Sequence, residues 1–143
     1  MRSSDLDGSL LATVDRTLTG PGARLLAERL TALRRLALGD GMLDVALAWF
    51  GERLRPPERQ SQPHIDLWRA KILAAVQALE NEADALAASP FSIGHIGIGV
   101  ALGYLDFRFT SIAWREDHPR LTAWQADFDR RPSVRANLPI DDR

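Results

Sequence analysis

Two carboxylates in the first long helical segment have the spacing best suited to joint chemistry. Asp40 and Asp44 stand four residues apart, so a helix would place both on one face. Like charges at this spacing repel, and we expect a compensating group nearby. Either one of them pairs with an arginine or caps a neighbouring element, or both face a substrate cleft. Two carboxylates could also serve glycoside hydrolysis or a metal, but the segment offers no third ligand.

The remaining polar residues form no catalytic or metal-binding pattern. His64, His95 and His118 lie far apart in the sequence, and none has the His-x-x-x-His spacing of a helical metal site. The chain contains no Gly-x-Ser-x-Gly nucleophile motif and no cysteine. We therefore predict no metal site, no catalytic residue and no cofactor bound by this chain alone.

Length, charge and hydropathy limit the number of domains and the kinds of partner that we expect. The 143 residues suggest one domain. With 18 basic and 19 acidic residues, the formal net charge is −1, so we expect neither nucleic acid nor an anionic membrane as a partner. The longest weakly polar run, residues 96–105, is about half the length of a membrane span. Residues 1–8 lack the apolar stretch of a signal peptide, which favours a cytoplasmic location.

Hydrophobic periodicity predicts four main helices and no strand. They cover about residues 24–54, 61–88, 92–107 and 118–131, and Ser133 caps one further short turn. The first helix should bury a face of apolar residues spaced by three, four or seven: Leu26, Leu30, Leu33, Leu36, Leu43, Leu47, Phe50 and Leu54.

The third predicted helix carries four glycines, at positions 94, 97, 99 and 103. Each costs about 1 kcal/mol of helix propensity relative to alanine, so we expect them where neighbouring backbones approach closely. Trp114 and Trp124 are interpreted as core anchors, and Arg29, Arg34 and Arg35 as a solvated face of the first helix.

Three stretches of the sequence share the pattern of one family. The first is ALGDGMLD at 37–44, and the second is SIGHI at 92–96 with ALGYLDFR at 101–108. The third runs from Trp114 through His118-Pro119, Leu121, Trp124 and Phe128 to RPSV at 131–134. Together they cover about residues 23–139, and they resemble the C-terminal helical domain of bacterial glutathione S-transferases.

The resemblance implies an all-α bundle of four main helices plus a short terminal turn. The bundle would span residues 23–139, after a leader or interdomain remnant at 1–22 and before a tail at 140–143. In the family, a thioredoxin-like N-terminal domain holds the glutathione site and the catalytic residue, and nothing in this chain matches that domain. The thioredoxin-like domain is thus the expected partner, and this chain alone is expected to be inactive, which leaves open whether it is an enzyme.

The family also implies a function for the longer protein. Its C-terminal domain contributes to the substrate site and to a homodimer, in which the first two helices take part. The full-length form would conjugate the co-substrate glutathione to an electrophile, as in detoxification, or carry out a thiol-dependent reduction. The alternatives are a free-standing, non-enzymatic interaction module and a decayed fragment.

The resemblance bears on five candidate positions. Tyr104 falls in the region under the family's substrate pocket, so it either packs in the core or lines the pocket, and it joins Asp40 and Asp44 as a substrate-binding candidate. The family usually starts its buried helix with Ser or Thr followed three residues later by Asp, whereas here the pair is Ser92 and His95. His95 can complete this capping box only as a neutral imidazole. We predict that protonating His95 weakens the start of the helix.

Overall fold

Five α-helices make up the part of the chain that the computed structural model describes, residues 21–141. They are α1 (Pro21–Arg53), α2 (Gln62–Ala88), α3 (Ile93–Arg108), α4 (Pro119–Asp129) and α5 (Pro132–Arg135). Short 3-10 turns at Pro57–Arg59 and Thr110–Ile112 follow α1 and α3. Residues 21–141 contain no strand, and the predicted all-α bundle is confirmed. Most of the predicted leader, 1–22, lies outside the described residues.

The core lies where α1, α2 and α4 surround the inner side of α3. α3 packs most extensively against α1, and α2 packs against α1 and α4. Both predicted tryptophan anchors are buried there, with Trp114 exposed by 3% and Trp124 by 8%. Within the described residues, no helix combines the length and the apolar character that crossing a membrane requires.

The buried face of α1 differs from the predicted leucine face. The core receives Met42, Ala46 and Trp49, at intervals of four and three. Several of the predicted leucines point into solvent instead: Leu26, Leu30, Leu33, Leu47 and Leu54. The prediction was wrong for these five leucines, whereas Leu43 and Phe50 do pack against the core. Hydrophobic spacing alone does not show which side of the helix the close approach of α3 buries.

α1 and α3 approach each other at two glycines. A Cβ atom built on Gly39 would lie 2.4 Å from the carbonyl carbon of Gly97 and 2.9 Å from the nitrogen of Ile98. Any side chain at position 39 would therefore collide with backbone, which cannot rotate away. The two glycines set the distance between the helices that form the largest interface of the bundle.

The other glycines of α3 divide into two kinds. A Cβ on Gly94 would come within 2.7 Å of the Ala32 carbonyl oxygen, and one on Gly99 within 2.3 Å of the Phe128 ring. Gly94 therefore meets a neighbouring backbone, as predicted, whereas the neighbour of Gly99 is an aromatic side chain. The prediction of close approach is wrong for Gly103, where a Cβ would meet nothing within 4 Å, because that glycine faces an open groove.

A buried carboxylate fixes the start of α4. Glu80 of α2 is only 6% exposed; it accepts the backbone N–H of Leu121 at 2.7 Å and that of Arg120 at 3.3 Å. The Arg120 side chain adds an ion pair of 3.1 Å. Burial raises the pKa of Glu80, but these donors outweigh it and leave the pKa below its ordinary value. The carboxylate thus satisfies N–H groups that a helix start leaves without partners.

Candidate functional site

An open, mainly apolar groove of about 910 Å³ lies between α3 and the segment that follows α4. One wall is the outer side of α3, and the other is formed by α5 and the residues after it. Aromatic and aliphatic side chains of both walls contribute most of the surface: Phe91, Ile96, Val100, Tyr104, Phe107, Phe128, Val134 and Leu138. A concave apolar surface of this size is typical of small-molecule sites.

The outer face of α3 continues this groove and has no covering element in the described part of the chain. We define it by Ile93, Ile96 and Val100, which are 47%, 42% and 49% exposed and recur at three and four residues. α3 is therefore exposed on this face, although eight of its residues are buried. Contiguous exposed apolar surface of this kind marks an interaction site.

The structure places only one of the three substrate-binding candidates at the groove. Tyr104 is half-buried and lines it, and its ring lies 6.3 Å from that of Phe109. Asp40 and Asp44 are exposed on α1 and do not line the groove. Within residues 21–141, neither carboxylate has an ion pair or a hydrogen bond, so the partner expected from their mutual repulsion is not found there.

The two capping candidates meet at the junction between α2 and α3. The backbone N–H of Ser92 donates to Nδ1 of His95 at 3.1 Å. On the other side of the ring, Nε2 lies 3.0 Å from the carbonyl oxygen of Leu86. Since Nδ1 accepts and a carbonyl can only accept, the proton sits on Nε2 and the imidazole is neutral. The reciprocal bond, from the His95 backbone to the Ser92 side chain, completes a capping box.

The surroundings of His95 disfavour its charged form. The ring is buried, with 4% of the residue exposed. Burial lowers the pKa of His95 most, and the charges of Arg35 and Arg131 lower it further, against a raising effect from the Leu86 carbonyl. The junction therefore holds a neutral histidine.

Arg35 supports this junction from α1, a role that sequence reasoning missed. It is 5% exposed, so its assignment to a solvated face is wrong. Its guanidinium donates to the Ser89 hydroxyl at 2.8 Å and lies 3.7 Å from the Glu82 carboxylate. Helix spacing could have indicated that Arg35 is buried, because it lies four residues before Gly39 and seven before Met42, which are on the buried face of α1.

Polar side chains tie the end of α3 to the loop that leads to α4. Asp106 accepts the indole N–H of Trp114 at 2.9 Å and the guanidinium of Arg115 at 2.6 Å. Asp129 lies 3.9 Å from the same arginine, and burial raises its pKa. Among the described residues, no three His, Asp or Glu side chains are grouped as a metal site would require.

Comparison with known proteins identifies the fold. Residues 62–126 match the family model of the glutathione S-transferase C-terminal domain. The chain is 32% identical over 114 residues to the GST-like protein YibF of Escherichia coli K12, covering 78% of this chain and 56% of YibF. It is also 48% identical over 59 residues to the DNA mismatch repair protein MutS of Caulobacter vibrioides, covering 41% of this chain and 6% of MutS. Because the two matches cover 78% and 41% of this chain, they must share some of its residues.

The solved structures agree with this similarity. A glutathione transferase family member from Pseudomonas fluorescens Pf-5, solved with S-(propanoic acid)-glutathione, superposes with a TM-score of 0.76 and 42% identity, covering 79% of this chain and 58% of that one. The same protein has been solved with bound glutathione. The chain thus spans a little over half the length of YibF and of this transferase. Its helical bundle belongs to the glutathione S-transferase C-terminal domain family.

Proposed function

We propose that this bundle forms the substrate side of a glutathione-dependent transferase, completed by a thioredoxin-like domain seated on the outer face of α3. The observation that carries the proposal is that face itself, with Ile93, Ile96 and Val100 each between 42% and 49% exposed. A second domain packed there would remove this apolar area from water, a favourable change of about 25 cal/mol per Å². The groove beside it would then become an enclosed pocket between two domains, a preferred place for ligands.

The two domains would divide the chemistry. The thioredoxin-like domain would bind glutathione and lower the pKa of its thiol, since the thiolate is the nucleophile. The bundle would bind the electrophile against the apolar lining of the groove, with Tyr104 at its wall. Support comes from the glutathione-bound relative, which matches this bundle over 79% of the chain. A chain without cysteine suits a reducing, cytoplasmic setting.

We further propose that the protein forms homodimers through α1 and α2. Exposed leucines on both helices support this: Leu25 and Leu30 are 69% and 57% exposed on α1, and Leu67 is 49% exposed on α2. Sedimentation should show species larger than a monomer that dissociate on dilution. A stable monomer at high concentration would contradict this part of the proposal.

Joining this bundle to a thioredoxin-like domain tests the transferase function. That domain of the Pseudomonas relative would be fused ahead of α1, and conjugation of glutathione to an aromatic electrophile would be measured. We expect the fusion to be active and the chain alone to be inactive and not retained on immobilised glutathione. Val100→Asp should abolish activity of the fusion, whereas Gln77→Asp, on the exposed side of α2, should not. Retention of the chain alone, or full activity of the Val100→Asp fusion, would overturn the proposal.

A further inference from the structure

The junction between α2 and α3 depends on one proton. Neutral His95 accepts from the Ser92 N–H through Nδ1 and donates from Nε2 towards the Leu86 carbonyl. A second proton, on Nδ1, would convert the acceptor into a donor and leave the Ser92 N–H without a partner. It would also place a positive charge in the first turn of α3, where the helix dipole is unfavourable to cations.

The charged groups around His95 would not compensate that charge. Arg35 approaches from α1, and Arg131 approaches from the segment after α4. The acid nearest to Arg35 is Glu82 of α2, which is occupied by two arginines because it also pairs with Arg34. Asp127 of α4 lines the same small pocket, but it is an exposed residue that pairs with Arg130. Two guanidinium charges thus act on the ring, and the two carboxylates, Glu82 and Asp127, already have cationic partners.

We propose that the α2–α3 junction is an acid-sensitive latch, in which protonation of His95 releases the N-terminus of α3. The Ser92 hydroxyl, 3.0 Å from Nδ1, would accept the new N–H. That exchange satisfies the ring, and the second lone pair of the hydroxyl can still accept the His95 backbone N–H. The first turn of α3 would lose the bond from the Ser92 N–H to Nδ1, and that N–H would be left without an acceptor.

The latch is connected to the groove through the ring next to His95. Phe91 lies 5.3 Å from the His95 ring, and the Arg131 guanidinium lies 3.6 Å above the Phe91 ring. Phe91 and Arg131 line both the small pocket at His95 and one end of the large groove. Release of the junction would therefore loosen that end of the groove, whatever the groove binds.

The sign of the pH effect follows from the lowered pKa of His95. The unfolded chain takes up the proton near the ordinary value of about 6.5, before the folded chain does. Stability is therefore complete above about pH 6.5 and falls as the pH drops, until the lowered pKa of the folded state is reached. Across that window the unfolding equilibrium constant rises by up to about tenfold per pH unit for this one proton.

Urea unfolding of the full chain between pH 8 and pH 5 tests the latch. Relative to the parent, His95→Gln should flatten the rise of the unfolding constant below about pH 6.5, and His64→Gln, at an exposed histidine, should leave it unchanged. The buried His118 is present in the parent and in both variants. A difference in pH dependence between the parent and His95→Gln therefore reports on His95. An identical pH dependence of the parent and His95→Gln would overturn the proposal.

A second measurement does not require that the variant folds. The His95 ring of the parent protein can be titrated by NMR, together with hydrogen exchange of the Ile96 amide in α3. We expect titration below the ordinary histidine value and faster exchange of Ile96 as the ring protonates. A His95 pKa at or above about 6.5, or exchange of Ile96 that does not follow the titration, would contradict the latch.

Discussion

The contact between Gly39 and Gly97 makes a sharp prediction about α1. In Gly39→Ala, the new methyl group would lie 2.4 Å from the Gly97 carbonyl carbon, whereas ordinary contacts of a Cβ atom begin at 3.4 Å. The obstacle is backbone, so α1 and α3 must move apart by the difference, 1.0 Å. Gly41→Ala provides a matched control in the same helix, because a Cβ there meets nothing within 4 Å.

The expected magnitude follows from two opposing terms. Replacing glycine by alanine within a helix gains about 1 kcal/mol at either position. Overpacking of a well-packed interface costs about 1–3 kcal/mol, and it applies only at position 39. Since the propensity gain is common to both variants, their difference isolates the steric cost. We expect Gly39→Ala to be about 2 kcal/mol less stable than Gly41→Ala, with Gly41→Ala more stable than the parent.

Thermal and urea unfolding of the two variants measure this difference directly. For a domain of this size, about 2 kcal/mol corresponds to a separation of roughly 8 °C between the melting temperatures. The urea m-value should stay the same, since the surface exposed on unfolding hardly changes. Equal stability of the two variants, or a more stable Gly39→Ala, would refute close helix contact at this glycine pair.

Two further substitutions test other parts of the packing. Glu80→Gln should lower stability by about 1–3 kcal/mol in urea unfolding, because the amide accepts from the Leu121 N–H less strongly and loses the charge; unchanged stability would argue against the cap. Gly99→Ala should destabilise the fold by displacing the Phe128 ring, whereas Gly103→Ala, facing the groove, should raise the melting temperature slightly. The opposite order of the two melting temperatures would contradict the placement of α3.

Much of the fold could be predicted because local signals agree with one another. Pro119 begins a helix that the sequence places at about residue 118, and the apolar stripe of α2 is buried at Ile72, Val76 and Leu79. The prediction that Ser133 caps the last turn is wrong, because that turn begins at Pro132 with Arg131 as its N-cap. Helix periodicity and proline positions depend only on residues close in sequence, so both can be read without knowing the tertiary structure.

The face of α1 could not be predicted in the same way. Which side of a helix is buried depends on how closely its partner approaches, and a glycine contact allows an approach that leucines would prevent. Arg35 was misassigned for a related reason: a charged side chain is expected in water unless its partners, here Ser89 and Glu82, are known. Both contacts join residues about fifty positions apart in sequence.

The candidate site was predicted only in part. Tyr104 lines the groove, but its other wall is built by the residues after α4, which carry no chemical motif. The sequence could propose Asp40 and Asp44 as a pair, yet it could not tell that both would be exposed without a partner in the described part of the chain. Helix spacing shows that Asp40 and Asp44 share one face of α1. Whether that face contacts another element or solvent depends on the packing of the whole bundle.

Thiol labelling would show most directly whether the outer face of α3 is covered by a thioredoxin-like domain. The chain has no cysteine, so Val100→Cys introduces one probe on that face, and Gln77→Cys introduces one on the exposed side of α2. With the thioredoxin-like domain of the Pseudomonas relative fused ahead of α1, we expect Val100→Cys to react at least tenfold more slowly than in the chain alone, and Gln77→Cys to react at the same rate. Equal labelling of Val100→Cys in both proteins would contradict the proposal that this face seats a second domain.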